Sequence, residues 1–213
     1  MKAVAILPIK RFAAAKQRLG TGMSGRRRRD LVAAMTGDVL AALAQARMVE
    51  RTILVSAEPR AQEMARAVDA EVLDDPQERG HSEAARLGLA LAAELEAEAA
   101  ILIPGDCPLI DPREVDGLLT GLPSNHVTIV PDRHGTGTNA LVLSPPDALP
   151  PAFGEDSCSR HEESARSRGL AVLVEPAPSL AIDLDTPADL IALTRAVAAD
   201  GGRARRTARA LKL

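Results

Sequence analysis

The sequence predicts an α/β protein built on a mostly parallel sheet. Three observations carry that reading. Short apolar runs alternate with longer amphipathic stretches, which is the rhythm of β-α-β units. The runs are short, β-branched-rich and bounded by Pro, Gly, Asp or Glu, as strands are. A glycine and a carboxylate sit directly after one of them, in Leu102-Ile103-Pro104-Gly105-Asp106. In open α/β sheets that carboxyl edge is where ligands bind.

In chain order, Val4–Leu7, Thr52–Val55, Ala100–Ile103 and Val127–Val130 are short, apolar and bounded by Pro, Gly, Asp or Glu, so they are expected as strands. A helix is expected over Asp30–Ala46, with Ser24 as a capping residue ahead of it and Leu31, Met35, Val39 and Leu43 on one stripe. Arg60–Val68 reads as a shorter helix, and Ser82–Ala97 as another beginning at a capping serine. After about Pro131 the rhythm changes. A Gly/Thr loop, His134–Thr138, leads to a strand over Ala140–Leu143, then to a polar helix around Ser157–Ser167. Strands over Ala171–Val174 and Leu180–Leu184 and a helix over Pro187–Ala198 complete the pattern. The expected organisation is one domain over residues 1–200, with a β/helix lid insertion at about 132–175. A basic tail, 201–213, is expected to be a solvated or oligomer-contacting end.

Composition excludes several classes. The chain of 213 residues has two Phe, no Tyr and no Trp, so bases have few rings to stack on. A net charge of -3 also argues against a nucleic-acid partner. No apolar run reaches the ~18 residues of a membrane span, and the apolar N-terminal stretch meets Lys10 and Arg11 at once. Two cysteines, Cys107 and Cys158, give neither a disulfide framework nor a zinc spacing and are expected to be structural. A cytoplasmic protein is the simplest expectation, and a homodimer is compatible with the Ala-rich helices.

Four segments carry chemistry. Asp106 is either a Mg²⁺ ligand or a cap for a helix near Pro112. Asp183 and Asp185, on a segment expected as a strand, would lie on one face by period-2 alternation, and two unpaired carboxylates there would be costly to bury. A cation between Asp106 and Asp183 removes that cost. The loop after the first strand holds Lys10, Arg11, Lys16 and Arg18, which suits a polyphosphate, although it lacks the glycines of the common phosphate-binding loops. Last, the Gly/Thr loop ending at Thr138, and the Phe153–Arg160 stretch with Ser157 at a helix start, offer hydroxyls, amides and a helix dipole to an anionic acceptor.

In this order, K-R-x-A-x-A-K-x-R-L, G-D-x-P, G-T-G-T, F-G-x-D-S-x-x-R-H and D-x-D-T-P-x-D-L resemble the guanylyltransferases of coenzyme F-420 (deazaflavin) biosynthesis. The resemblance extends to about Ala198. It implies a Rossmann-like, three-layer α/β/α nucleotidyltransferase that moves GMP from GTP onto a three-carbon phospho-acid: 2-phospho-L-lactate, phosphoenolpyruvate or 3-phospho-D-glycerate. It implies Mg²⁺ on Asp106 and Asp183, a catalytic Lys16, nucleotide contacts at Lys10, Lys16, Arg18 and Ser82, and acceptor contacts at Thr138, Gly154 and Ser157. Asp185 is expected as a helix cap or a partner of the metal ligands. Arg79-Gly80-His81-Ser82 departs from the Gly-Leu-Asn common in relatives. Cys107 and His134 replace commonly apolar residues, which suggests a more polar pocket suited to 3-phospho-D-glycerate. A nucleotide-sugar glycosyltransferase, another Mg²⁺-dependent nucleotidyltransferase or a non-catalytic nucleotide-binding module are the rival readings. They differ from a guanylyltransferase in whether, and from which nucleotide, pyrophosphate is released.

Overall fold

The computed structural model describes residues 2–213. Strands β1 (Ala3–Pro8), β2 (Val49–Val55), β3 (Glu71–Leu73), β4 (Ala99–Leu102), β5 (His126–Pro131), β6 (Thr138–Ser144) and β7 (Ala171–Val174) form one sheet in the order β3-β2-β1-β4-β6-β5-β7. β1 is parallel to β2 and β4, β2 to β3, and β5 to β7, while β6 runs antiparallel to β4 and β5. The chain leaves β1 toward β2 and β3 and returns on the other side at β4. The strand order therefore reverses between β1 and β4, and a crevice opens at their carboxyl ends.

Alternation along β1 sorts the core into two layers. Ala3, Ala5 and Leu7 face helices α1 (Gly25–Leu43), α2 (Pro59–Arg66), α4 (Pro112–Leu119), α6 (Pro187–Ala199) and α7 (Arg205–Leu211). Val4 and Ile6 face α3 (His81–Glu94) and α5 (Ser157–Ser167). The α/β/α expectation is met. With only Phe12 and Phe153 as aromatics, density is reached by close approach: a Cβ on Gly88 of α3 would lie 2.3 Å from Ile6 Cγ2.

The helix starts follow local chemistry. The Ser24 hydroxyl accepts from Arg27 N at α1, and the Asp111 carboxylate from Arg113 N ahead of Pro112 at α4. Asp111, not Asp106, therefore caps the helix near Pro112. Gly80, at φ 121°, precedes α3 in place of the expected serine cap, and the Ser82 hydroxyl accepts from Phe153 N at 3.0 Å.

Three expectations are corrected. Leu180–Leu184 is not a strand: a 3-10 turn, Pro178–Leu180, passes into irregular chain. Its carbonyls are taken by distant donors, Leu180 O by the Asn139 amide and Ala181 O by Arg133 N, so no ladder forms. The 132–175 region is no separate lid, because β6 and β7 belong to the main sheet. The basic tail is not a solvated end, because 205–211 form α7, packed on α1 and α6 with Thr207 fully buried. That helix has no side-chain cap of its own. Buried Asp38 of α1 supplies it, accepting from Arg206 N at 3.1 Å and Thr207 N at 2.8 Å. β3, too short and too charged to stand out, was not anticipated.

Candidate active site

A cavity of about 890 Å³ opens at the carboxyl edge where β1 and β4 diverge. The loop after β1 brings Lys10, Lys16 and Arg18 to one wall. The turn after β4 brings Asp106, held close to that loop because Gly105 leaves no side chain against Ile9. Since β6 runs antiparallel, its first residues, Thr138 and Asn139, arrive at the same edge. The first turns of α3 and α5 add Ser82 and Ser157, and Gly154 sits in the loop before α5 at φ 120°. Asp183 enters from the segment before α6. Thus the nine residues to which the resemblance gives metal, nucleotide or acceptor contacts line one cavity, whereas Arg11 of the basic loop lies outside it, paired with Glu78.

Its acidic end is compact. Carboxylate oxygens of Asp106, Asp183 and Asp185 all lie within 4.8 Å of one another. Asp106 is buried, and the Lys16 ammonium, carried on a left-handed backbone at φ 56°, bridges it to Asp185, with 2.8 Å to the latter. Burial opposes the charge on Lys16, but Asp106 and Asp185 outweigh it and hold the ammonium protonated. Asp183 is pushed up to about 6, first by burial and then by the neighbouring charge of Asp106, against a hydrogen bond from the Asn139 amide that favours ionisation. Three hard oxygen donors, one raised first by burial and then by a neighbouring carboxylate, fit a Mg²⁺-type cation.

Asp185 does not cap α6. Thr186 does, in a capping box with Asp189, whose Oδ2 accepts from Thr186 N at 2.7 Å and from Asp185 N at 3.1 Å. Asp189 also pairs with Arg133. The Asp183–Asp185 segment is therefore placed by Asn139 and Asp189, not by strand alternation.

Two further expectations, both about the pocket's polarity, are corrected. The Cys107 thiol is fully buried, points at Leu180 O at 3.6 Å and is pushed well up, first by burial and then by the charges of Asp106 and Asp183. His134 is exposed and is not part of the cavity wall. Neither makes the pocket polar. In α5 the first N–H groups are not free: Ser157 N donates to Gly154 O and Cys158 N to Thr136 O. What the helix start offers the cavity is Ser157 itself.

Sequence reasoning gave no individual role to Asn139, Asp132, His81 and Phe153, all on the wall. His81 packs edge-on against Phe153, with centroids 4.8 Å apart. Of these, Asn139 left a signal: Thr138-Asn139 puts two polar residues at the start of an otherwise apolar strand.

An acidic, lysine-bridged cluster thus lies at the switch point of an α/β sheet. Solved structures share the fold. A candidate nucleotide-diphospho-sugar transferase of Desulfovibrio desulfuricans G20 superposes with TM-score 0.79 at 19% identity, covering 100% of this chain and 95% of that one. CMP:2-keto-3-deoxy-manno-octonic acid synthetase, solved with CTP, gives 0.59 at 17%, covering 94% and 100%. Rv0371c of Mycobacterium tuberculosis H37Rv, solved with manganese, gives 0.61 at 18%, covering 92% and 100%. The model of the family described as "Guanylyl transferase CofC like" matches residues 3–212. Curated relatives include the phosphoenolpyruvate guanylyltransferases of Conexibacter woesei, 47% identical over 97% of this chain and 94% of that protein, and of Sphaerobacter thermophilus, 42% over 89% and 91%. The 3-phospho-D-glycerate guanylyltransferase of Phenylobacterium zucineum is 38% identical over 98% and 95%. The chain belongs to this guanylyltransferase family.

Proposed function

We propose that this guanylyltransferase moves GMP from GTP onto the phosphate of phosphoenolpyruvate or a closely related three-carbon phospho-acid, in deazaflavin coenzyme biosynthesis. The observation that carries the reading is the convergence of three aspartates and Lys16 with the Thr138–Gly154–Ser157 wall in one cavity. Phosphoenolpyruvate is favoured because the relatives at 47% and 42% identity are named for it, and because Cys107 and His134 lie away from the wall.

In the reaction a phosphate oxygen of the acceptor attacks the α-phosphorus of GTP. A new P–O–P bond forms, the α–β anhydride bond breaks, and its electron pair leaves with pyrophosphate. An ionised phosphate needs no general base, which suits a wall holding neither a Ser–His nor a Cys–His pair among the described residues. The protein's task is positioning and charge neutralisation. Lys10, Lys16 and Arg18 face the triphosphate, Ser82 lies toward the nucleoside, and Thr138, Gly154 and Ser157 hold the acceptor. Asp106 and Asp183, with Asp185 beside them, would hold Mg²⁺, which supplies Lewis-acid stabilisation of phosphate oxygens when bound. On this reading residues 1–200 are one catalytic domain. The two free, buried thiols agree with a cytoplasmic location.

The test is pyrophosphate release with each nucleoside triphosphate against each of the three acids. GTP with phosphoenolpyruvate should turn over fastest. Asp106→Asn and Asp183→Asn should each lose about 10²-fold or more in kcat. Near-native turnover in both variants would refute the assignment.

A further inference from the structure

Beside the acceptor wall, one imidazole hydrogen-bonds Thr138 and lies close in the chain to the other two residues assigned to acceptor binding. His161 lies on α5 one turn after Ser157, so the two share a helix face. Its Nδ1 is 3.0 Å from Thr138 Oγ1, and its Nε2 is 2.8 Å from Ala152 N, two residues before Gly154. The ring is completely buried, and Phe153 closes over it edge-on at 5.3 Å.

These contacts fix where the proton sits. A backbone N–H only donates, so Ala152 N requires a bare lone pair on Nε2. Burial, reinforced by Arg160, holds the ring neutral by pushing it down to about 4. A neutral ring with a bare Nε2 carries its proton on Nδ1. Nδ1–H therefore donates to Thr138 Oγ1 and occupies one of its lone pairs. No second hydrogen bond engages that hydroxyl among the described residues, and Thr138 lines the cavity. Its own proton is left to point at whatever the cavity holds.

We infer that His161 is a positioning residue that commits the Thr138 hydroxyl to donating into the acceptor pocket, selecting an anionic oxygen there over a donor group. The inference rests on the acceptor site proposed above. An isolated threonine hydroxyl donates or accepts with equal ease. One already receiving Nδ1–H favours an acceptor such as a carboxylate or phosphate oxygen. The same ring, through Ala152, steadies the loop that presents Gly154.

Two measurements test this. The chain has four histidines, so ¹⁵N-edited imidazole spectra of the intact protein can be assigned. His161 should appear as the Nδ1–H tautomer, and an Nε2–H tautomer would overturn the inference. The second is a KM comparison. The amide nitrogen of Asn overlays Nδ1, and the amide oxygen of Gln overlays Nε2. His161→Asn keeps the donor to Thr138, and His161→Gln keeps only the acceptor for Ala152 N. His161→Gln should raise the acceptor KM about tenfold relative to any change in the GTP KM, whereas His161→Asn should stay within about twofold. Equal effects of the two, or parallel shifts in both KM values, would overturn the relay and leave a packing role. Thr138→Val separates the layers of the argument. If it leaves the acceptor KM unchanged, the acceptor site is misplaced and the inference falls with it. If it raises that KM while His161→Gln does not, the relay alone is wrong.

Discussion

At the scale of single residues, the cavity works by setting charges against one another. Asp183 is raised by burial and by Asp106, whereas Lys16 is held charged by Asp106 and Asp185. The acidic cluster therefore carries more negative charge than Lys16 alone neutralises, which is what a cation site requires. His161 carries a pH dependence whose sign can be worked out. Unfolded, it takes up a proton near 6.5; folded, burial delays uptake to about 4. Between those values the unfolded chain binds more protons, so stability falls as the pH drops through that window. At pH 5 the loss attributable to His161 should be about 2 kcal/mol. Urea unfolding of the parent and of His161→Asn at pH 7 and pH 5 checks it. The gap between the two proteins should narrow at pH 5, and a gap independent of pH would contradict the assignment.

At the scale of elements, two glycines on different helices should respond oppositely to alanine. Gly88 of α3 lies against β1, where a Cβ would sit 2.3 Å from Ile6 Cγ2 and 3.2 Å from Val55 Cγ2. Both are methyls of buried β-branched side chains with little room to turn. Gly88→Ala should cost about 1–3 kcal/mol. Gly117 of α4 has open space, and Gly117→Ala should be neutral or stabilise by up to ~1 kcal/mol. Urea midpoints of the two variants decide the matter, and a destabilised Gly117→Ala would argue against the packing described for α4. Segments without regular structure depend on long-range bonds instead. The chain carrying Asp183 is held by Asn139 and by the Arg133–Asp189 pair, both from or next to the β5–β6 hairpin. The acidic cluster and the Thr138–Asn139 wall are thereby tied together.

At the scale of the whole molecule, the last helix closes the fold. α7 begins without a cap of its own, and Asp38 on α1 accepts its first N–H groups from a buried position. Asp38→Ala should cost about 2–3 kcal/mol, because charge-assisted hydrogen bonds are lost and the N–H groups are left buried. It should also open the arginine-rich tail to trypsin. Limited digestion alongside urea unfolding checks both effects, and a tail that stays protected would show that α7 is held by packing alone.

Much of this was legible in the sequence. Alternation of apolar runs announced the α/β layers, because strand and helix periods are local properties of the chain. The order of short motifs, from the basic loop through Gly105-Asp106 to Asp183–Pro187, was enough to indicate the family. It also named nine residues that meet in one cavity, since strand ends and helix starts in this sheet converge on one edge. Tertiary structure alone decided how Asp183 and Asp185 reach the site, which way Cys107 faces, that the tail is a helix packed on α1 and α6, and which nitrogen of His161 bears the proton. Each of these depends on a partner tens of residues away or on a backbone group without a sequence signature. Periodicity reports which face a residue occupies within its own element; only packing determines what that face meets.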